Sequence, residues 1–173
     1  MKKDNWILKA FLMTFFIALI FSSASNYLIS KFNNTILLIV LCVIFIGIGI
    51  LFDIIGTAVL TANEASFHAK SAKKIKGSKE GVYLVKNSST IASICNDVIG
   101  DICGIVSGSI GAMLAINIST KLNVSTVIVT LLISSIISSL TVGGKAIGKK
   151  QAIKNSDAII FVAAKVLSKF KIK

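Results

Sequence analysis

The chain has no proline and no arginine, only seven acidic residues and a single histidine among 173 residues. Without proline, a break in a helix has to come from glycine, serine or asparagine, which can also leave backbone groups free to meet an ion. His68 has no histidine partner, so it makes neither a metal nor a catalytic site, and no Ser/His/Asp arrangement, nucleotide loop or zinc-ligand spacing appears. An enzyme has little to be built from. Cys42, Cys95 and Cys103 are odd in number and form no C-x-x-C pair, which speaks against a disulfide framework and a zinc site. All three lie inside apolar runs and read as small buried hydrophobes.

Apolar surface is in excess. The chain is 54% hydrophobic with a mean hydropathy of +0.86, more than a soluble domain of this size can hide in one core. Most of that surface must face a lipid bilayer. The 19 basic residues are all lysine and set a formal net charge of +12. They stand between apolar blocks rather than on a soluble face, which argues against nucleic acid as a partner.

Four stretches are long enough for a hydrocarbon core of about 30 Å, which takes about 20 helical residues. They are Ile7 to Ile29, Thr35 to Asn63, Thr90 to Ile116 and Val124 to Val142. Lys2, Lys3 and Lys9 mark the head of the first. Six lysines from Lys70 to Lys86 fill the gap between the second and third, and eight from Lys145 to Lys173 follow the fourth. The remaining two gaps hold only Lys31 and Lys121. Four spans with both termini in the cytoplasm satisfy this placement. The first span also resembles a secretory signal peptide, with its leading lysines, the apolar run Ala10 to Phe21 and the small residues Ser22 to Ser25. The expected fold is therefore an all-α, multi-pass plasma-membrane protein with four transmembrane helices. An accessory N-terminal helix occupies residues 1–34, a three-helix core 35–155, and a basic cytoplasmic hairpin 66–86 that turns at Gly77 and Gly81. Residues 156–173 form an amphipathic juxtamembrane helix with Lys165, Lys169 and Lys173 on one stripe near anionic headgroups.

Asp53, Glu64, Asp97 and Asp101 lie within or at the edges of these spans. A charge at mid-membrane costs about 2.5 to 3.5 kcal/mol on insertion scales, so such residues face a bundle interior, a water cavity or an ion path. Asp97 and Asp101 are four apart with Asn96 beside them, which on an α-helix points both carboxylates the same way. They would repel unless a cation or a lysine sits between them or one is protonated. A hard divalent cation suits carboxylate, amide, hydroxyl and backbone oxygens; interhelical hydrogen bonding by protonated or lysine-paired acids is the alternative. Gly100, Gly104 and Gly108, joined by Ser107 and Gly111, make a small-residue face suited to a homodimer or to packing within one subunit. Ser134, Ser135, Ser138 and Ser139 could line a path, or bond back to the helix carbonyl four residues earlier.

Three segments, in order, resemble the transmembrane domain of the CorC and cyclin M (CNNM) family of magnesium and cobalt transporters. Thr61-Ala62-Asn63-Glu64-Ala65-Ser66 stands where the family has Ser-Gly-x-Glu-Thr-Ala. Cys95-Asn96-Asp97, after Asn87-Ser88, stands where it has Gly-Asn-Asn after Asn-Pro. Gly143-Gly144-Lys145-Ala146-Ile147-Gly148-Lys149 matches its Phe-Gly-Glu-x-x-Pro-Lys, followed by Lys154-Asn155-Ser156-Asp157. The resemblance covers about Thr35 to Lys173 and departs from the family at Lys145, where the family has glutamate, and at Gly148, where it has proline. It implies a short, CorB-like member without CBS domains, acting as a homodimer. Regulation by ATP would come from a separate cytoplasmic protein. It also implies transport of Mg2+ or cobalt through Glu64, Asn96 and Asp97, with Thr61 as a hydroxyl ligand; Asp53 and Asp101 join the candidate set from burial alone. A non-transporting partner or scaffold that associates through the glycine face is the other function expected, and Lys145 is the residue that favours it.

Overall fold

Breaks between helices in this proline-free chain fall at asparagine and glycine. A computed structural model describes residues 4–31 and 34–170; Lys2, Lys3, Lys171 and Lys173 lie outside them. The elements are α1 (Asp4–Lys31), α2 (Thr35–Thr61), α3 (Glu64–Ala72), α4 (Ser78–Lys86), α5 (Ser88–Ser93), a π-helical segment (Ile94–Gly100), α6 (Asp101–Leu122), α7 (Thr126–Lys154) and α8 (Ser156–Phe170). No strand occurs among the described residues. Asn34 caps α2 by accepting the Ile36 N–H at 3.0 Å, and Asn63 caps α3 by accepting the Ala65 N–H at 3.0 Å. Asn87 separates α4 from α5, its side-chain amide donating to the Tyr83 carbonyl at 2.8 Å. Asn123 ends α6 in the left-handed conformation at φ +52°, and Asn155 separates α7 from α8.

Three helical stretches are long and apolar enough to cross a membrane: Thr35–Thr61, Ser88–Leu122 and Thr126–Lys154. At about 1.5 Å per residue they exceed the ~30 Å hydrocarbon core. The second contains the π segment, a wider i→i+5 winding that inserts a bulge without ending the helix. The third runs past Val142 to Lys154, because Gly148 keeps the backbone N–H that a proline would remove. In α1 the apolar stretch among the described residues is Phe11–Ala24, shorter than a full span.

The chain divides into two units. The first comprises residues 1–49 and 100–143. There Leu38, Cys42 and Ile46 of α2 are buried, as are Cys103, Val106, Ile110 and Leu114 of α6. Cys42 Sγ lies 3.7 Å from the Ser107 carbonyl, and Lys121 Nζ donates to Thr35 Oγ1 at 2.9 Å. α1 packs on α6, with Phe21 edge-on to Phe45. Val127, Leu131 and Leu140 of α7 in this unit are exposed as lipid-facing residues are, while Val129, Ile133 and Ile137 are half-buried.

The second unit comprises residues 50–99 and 144–173. Its core joins Ala58 and Val59 of α2, Phe67 of α3, Leu84 and Val85 of α4, Ala92 of α5, Ala152 of α7 and Ile160 and Ala164 of α8. The expected basic hairpin is α3–α4, and it turns at Lys74 and Gly77, whose φ values are +52° and +88°. Gly81 is not part of the turn. It lies inside α4 with the Phe67 ring where a Cβ would stand, so its role is close approach. Lys165 of the juxtamembrane helix lies over the Phe161 ring at 4.5 Å and against Gly77, and Lys70 lies over Phe161 at 4.9 Å. Lys70 thus ties α3 to α8 through its contact with the Phe161 ring, and Lys165, one of the lysines expected near headgroups, instead packs against the turn at Gly77.

Phe67 is fully buried. Phe67→Ala is expected to cost about 3–5 kcal/mol through the cavity it leaves, and Gly77→Ala about 1–2 kcal/mol through the left-handed backbone. Thermal unfolding of the detergent-solubilised protein measures both, and Phe67→Ala should lower the midpoint more.

Candidate functional site

The sequence-selected residues do not converge into one cluster. Among the described residues no group of three or more His, Cys, Asp and Glu side chains is placed to hold a metal ion. Glu64 opens α3 and is exposed, its Oε1 3.2 Å from Nε2 of the equally exposed His68 one turn on. Thr61, also exposed, turns its hydroxyl back to the Thr57 carbonyl at 3.2 Å. Asp97 is exposed on the π segment and Asp101 is exposed at the head of α6. The 3.6-residue spacing that would align their carboxylates does not hold through an i→i+5 winding.

Asp53 is different. Only 3% exposed, it is the one buried charged residue among the described residues, and its carboxylate meets two lysines of α7. Lys145 Nζ lies 3.9 Å from Oδ1 and Lys149 Nζ 3.7 Å from Oδ2. The packing beneath explains the geometry. Gly144 and Gly148, four apart on α7, receive Ile50 and Ile54, four apart on α2, where their own Cβ atoms would stand. This small-residue face lets the helix backbones approach closely. Residues 145 and 149 follow the glycines by one position, and Asp53 sits between the two isoleucines in sequence, so the same contact brings the three charges together.

One turn beyond Asp53 on α2, Gly56 has no side chain, and the space is taken by Asn96 Oδ1 of the π segment. That oxygen is buried and accepts no hydrogen bond, and the same holds for Asp53 Oδ2. Asn96 Oδ1 therefore stands without a donor, and Asp53 Oδ2 has the Lys149 ammonium at 3.7 Å in place of a hydrogen bond, an arrangement that costs free energy unless a cation or donor compensates. Of the six sequence candidates, Asp53 and Asn96 are the two with a buried side-chain oxygen that accepts no hydrogen bond.

A second polar junction joins two of the family-like motifs. The Asn63 N–H donates to Asp157 Oδ1 at 2.9 Å, and the Ser156 hydroxyl donates to the Thr61 carbonyl at 3.3 Å. The α2–α3 break is thereby tied to the α7–α8 break, and the backbone groups freed there find partners. Lys149 and Asp157 stood in the sequence as motif residues without a role. The spacing of Lys145 and Lys149, one helical turn apart, was the available signal for a shared partner. The serines of α7 bond back to their own helix, Ser134 to Leu131 and Ser139 to Ile136, at 3.1 and 2.9 Å. They reach three residues back rather than four. Gly104 and Gly108 have nothing within 4 Å, whereas Gly111 lies under Ile137. A cleft of about 280 Å³ runs along this face of α6, closed on its other side by Thr130, Ser134 and Ser138 of α7.

Removing both lysines leaves a buried, uncompensated carboxylate. Lys145→Met/Lys149→Met is expected to destabilise the protein by about 3–5 kcal/mol. Adding Asp53→Asn to that pair should recover much of the loss. Lys149, with half its side chain exposed against 23% for Lys145, should contribute less alone because solvent screens it. A double-mutant cycle read by thermal unfolding measures each term.

In comparisons with family models, with curated proteins and with solved structures, no match to the chain is found. The functional reading rests on the residues themselves.

Proposed function

We propose that the chain is a four-span plasma-membrane protein, with both termini cytoplasmic, that moves a divalent cation, magnesium first, past Asp53 and Asn96. Lys145 and Lys149 act in this reading as tethered cations that hold the carboxylate when no ion is present. The observation that carries it is a buried carboxylate whose partners among the described residues are two ion pairs near 4 Å, with a buried amide oxygen that has no donor against Gly56, one turn along the same helix. Magnesium takes oxygen ligands at about 2.0–2.1 Å and keeps several waters, so two protein oxygens at one end of a path suffice for a transient site. A divalent ion there and each lysine ammonium repel by about 8 kcal/mol at 4 Å with an effective dielectric constant near 20. Ion entry therefore requires the lysines to swing away, and ion departure brings them back.

The second reading is a non-transporting partner or scaffold in which the lysines neutralise Asp53 permanently. It is favoured by the small-residue face of Gly104 and Gly108, where an added Cβ would meet nothing within 4 Å.

Magnesium flux into proteoliposomes carrying an internal indicator separates the two. For the transporter, wild type exceeds empty vesicles, Asp53→Asn falls to the empty-vesicle level, and Glu64→Ala, whose carboxylate is exposed, retains most of the flux. Lys145→Met should bind magnesium more tightly, seen as a larger rise in unfolding midpoint on adding the ion. A folded wild type with no flux, in which magnesium leaves the midpoint of both proteins unmoved, establishes the scaffold instead.

A further inference from the structure

Beside the packed core of the second unit lies an apolar groove of about 850 Å³, within the range of roughly 300–1,000 Å³ typical of ligand clefts. Its walls come from the end of α2, α4 and α5, the π segment, the end of α7 and α8, with Phe52, Ile94, Val162 and Val166 among them; Gln151 and Asn155 are its polar residues. α8 explains why the groove exists. Ile160 and Ala164 are fully buried in the core, yet Val162 and Val166 on another side of the same helix remain 61% and 49% exposed. The apolar surface of α8 is wider than the core uses, and an apolar surface that borders a bilayer is covered by hydrocarbon.

Charge decides which lipid. Gln151 and Asn155, one turn apart at the polar part of the groove, are each preceded by an exposed lysine, Lys150 and Lys154, and neither forms an ion pair among the described residues. The carboxylate nearest in sequence, Asp157, accepts the Asn63 N–H. The polar end thus offers two amides in its wall, and the two exposed lysines stand one position before them on α7; together they are donors suited to a phosphate at the mouth of the groove, and the rest offers hydrocarbon. We propose that this groove seats an acyl chain of an anionic phospholipid whose phosphate is met by Lys150 and Lys154. The site is independent of whether the chain transports an ion.

The full chain, reconstituted in nanodiscs of equal phosphatidylglycerol and phosphatidylcholine and then released for native mass spectrometry, tests this. Wild type should retain phosphatidylglycerol over phosphatidylcholine by about tenfold or more, the size two lysines near an anionic headgroup supply. Lys150→Gln/Lys154→Gln should lose the preference while still retaining lipid, and Ala158→Trp, which projects a large side chain from the groove wall, should lose the lipid altogether. In wild type, a phosphatidylglycerol carrying a photoreactive acyl chain should label the α8 peptide, a readout that stands even if Ala158→Trp fails to fold. Equal retention of the two lipids, a preference that survives loss of both lysines, labelling confined to other helices, or a groove covered by a second copy in a lipid-free dimer each overturns the proposal.

Discussion

A buried carboxylate has to be neutralised or matched by charge, and in this chain that requirement organises the second unit. Asp53 meets Lys145 and Lys149 only because α7 presents glycines at 144 and 148 to the isoleucines on either side of it. Close packing and charge compensation are one contact seen from two sides. A larger residue at either glycine would push α7 from α2 and leave the acid without its partners, a cost that grows as the surroundings become less polar. The hydrogen bonds from Ser156 and Asn63 fasten the next breaks of the same two helices, so the charged contact and the polar junction hold α2 and α7 in register along the unit.

Lysine at position 145 also changes what the site can do. With two ammoniums and one carboxylate, the local charge is positive before any ion arrives, and a divalent cation has to displace a cation already tied to the chain. A site of that kind either exchanges its lysines for an ion or holds them for good. Lys145 is therefore the residue on which the two proposed readings divide.

Much of the helical framework was legible. Hydropathy locates three of the four expected spans as long apolar helices, and the absence of proline throws the breaks onto asparagine and glycine, as Asn63, Asn87, Asn123 and Asn155 show. The candidate site was legible in part. Asp53 was marked by burial and Asn96 by its motif, but Glu64, Asp97 and Asp101 lie exposed, each outside any cluster of potential ligands. The π segment is invisible to a reading that assumes 3.6 residues per turn, because winding depends on how neighbouring helices compete for the backbone. Gly81 likewise looked like a turn residue, since sequence shows that a side chain is missing and not which ring fills the space.

By itself, the sequence determined that the chain is helical and lipid-facing, because hydrophobic length and charge placement act locally and need no partner. Only the tertiary structure decided which acid is buried, which lysines compensate it and which glycines bring them together. Those outcomes depend on residues some ninety positions apart in the chain, such as Asp53 with Lys145 and Lys149, whose distance in space no local pattern encodes.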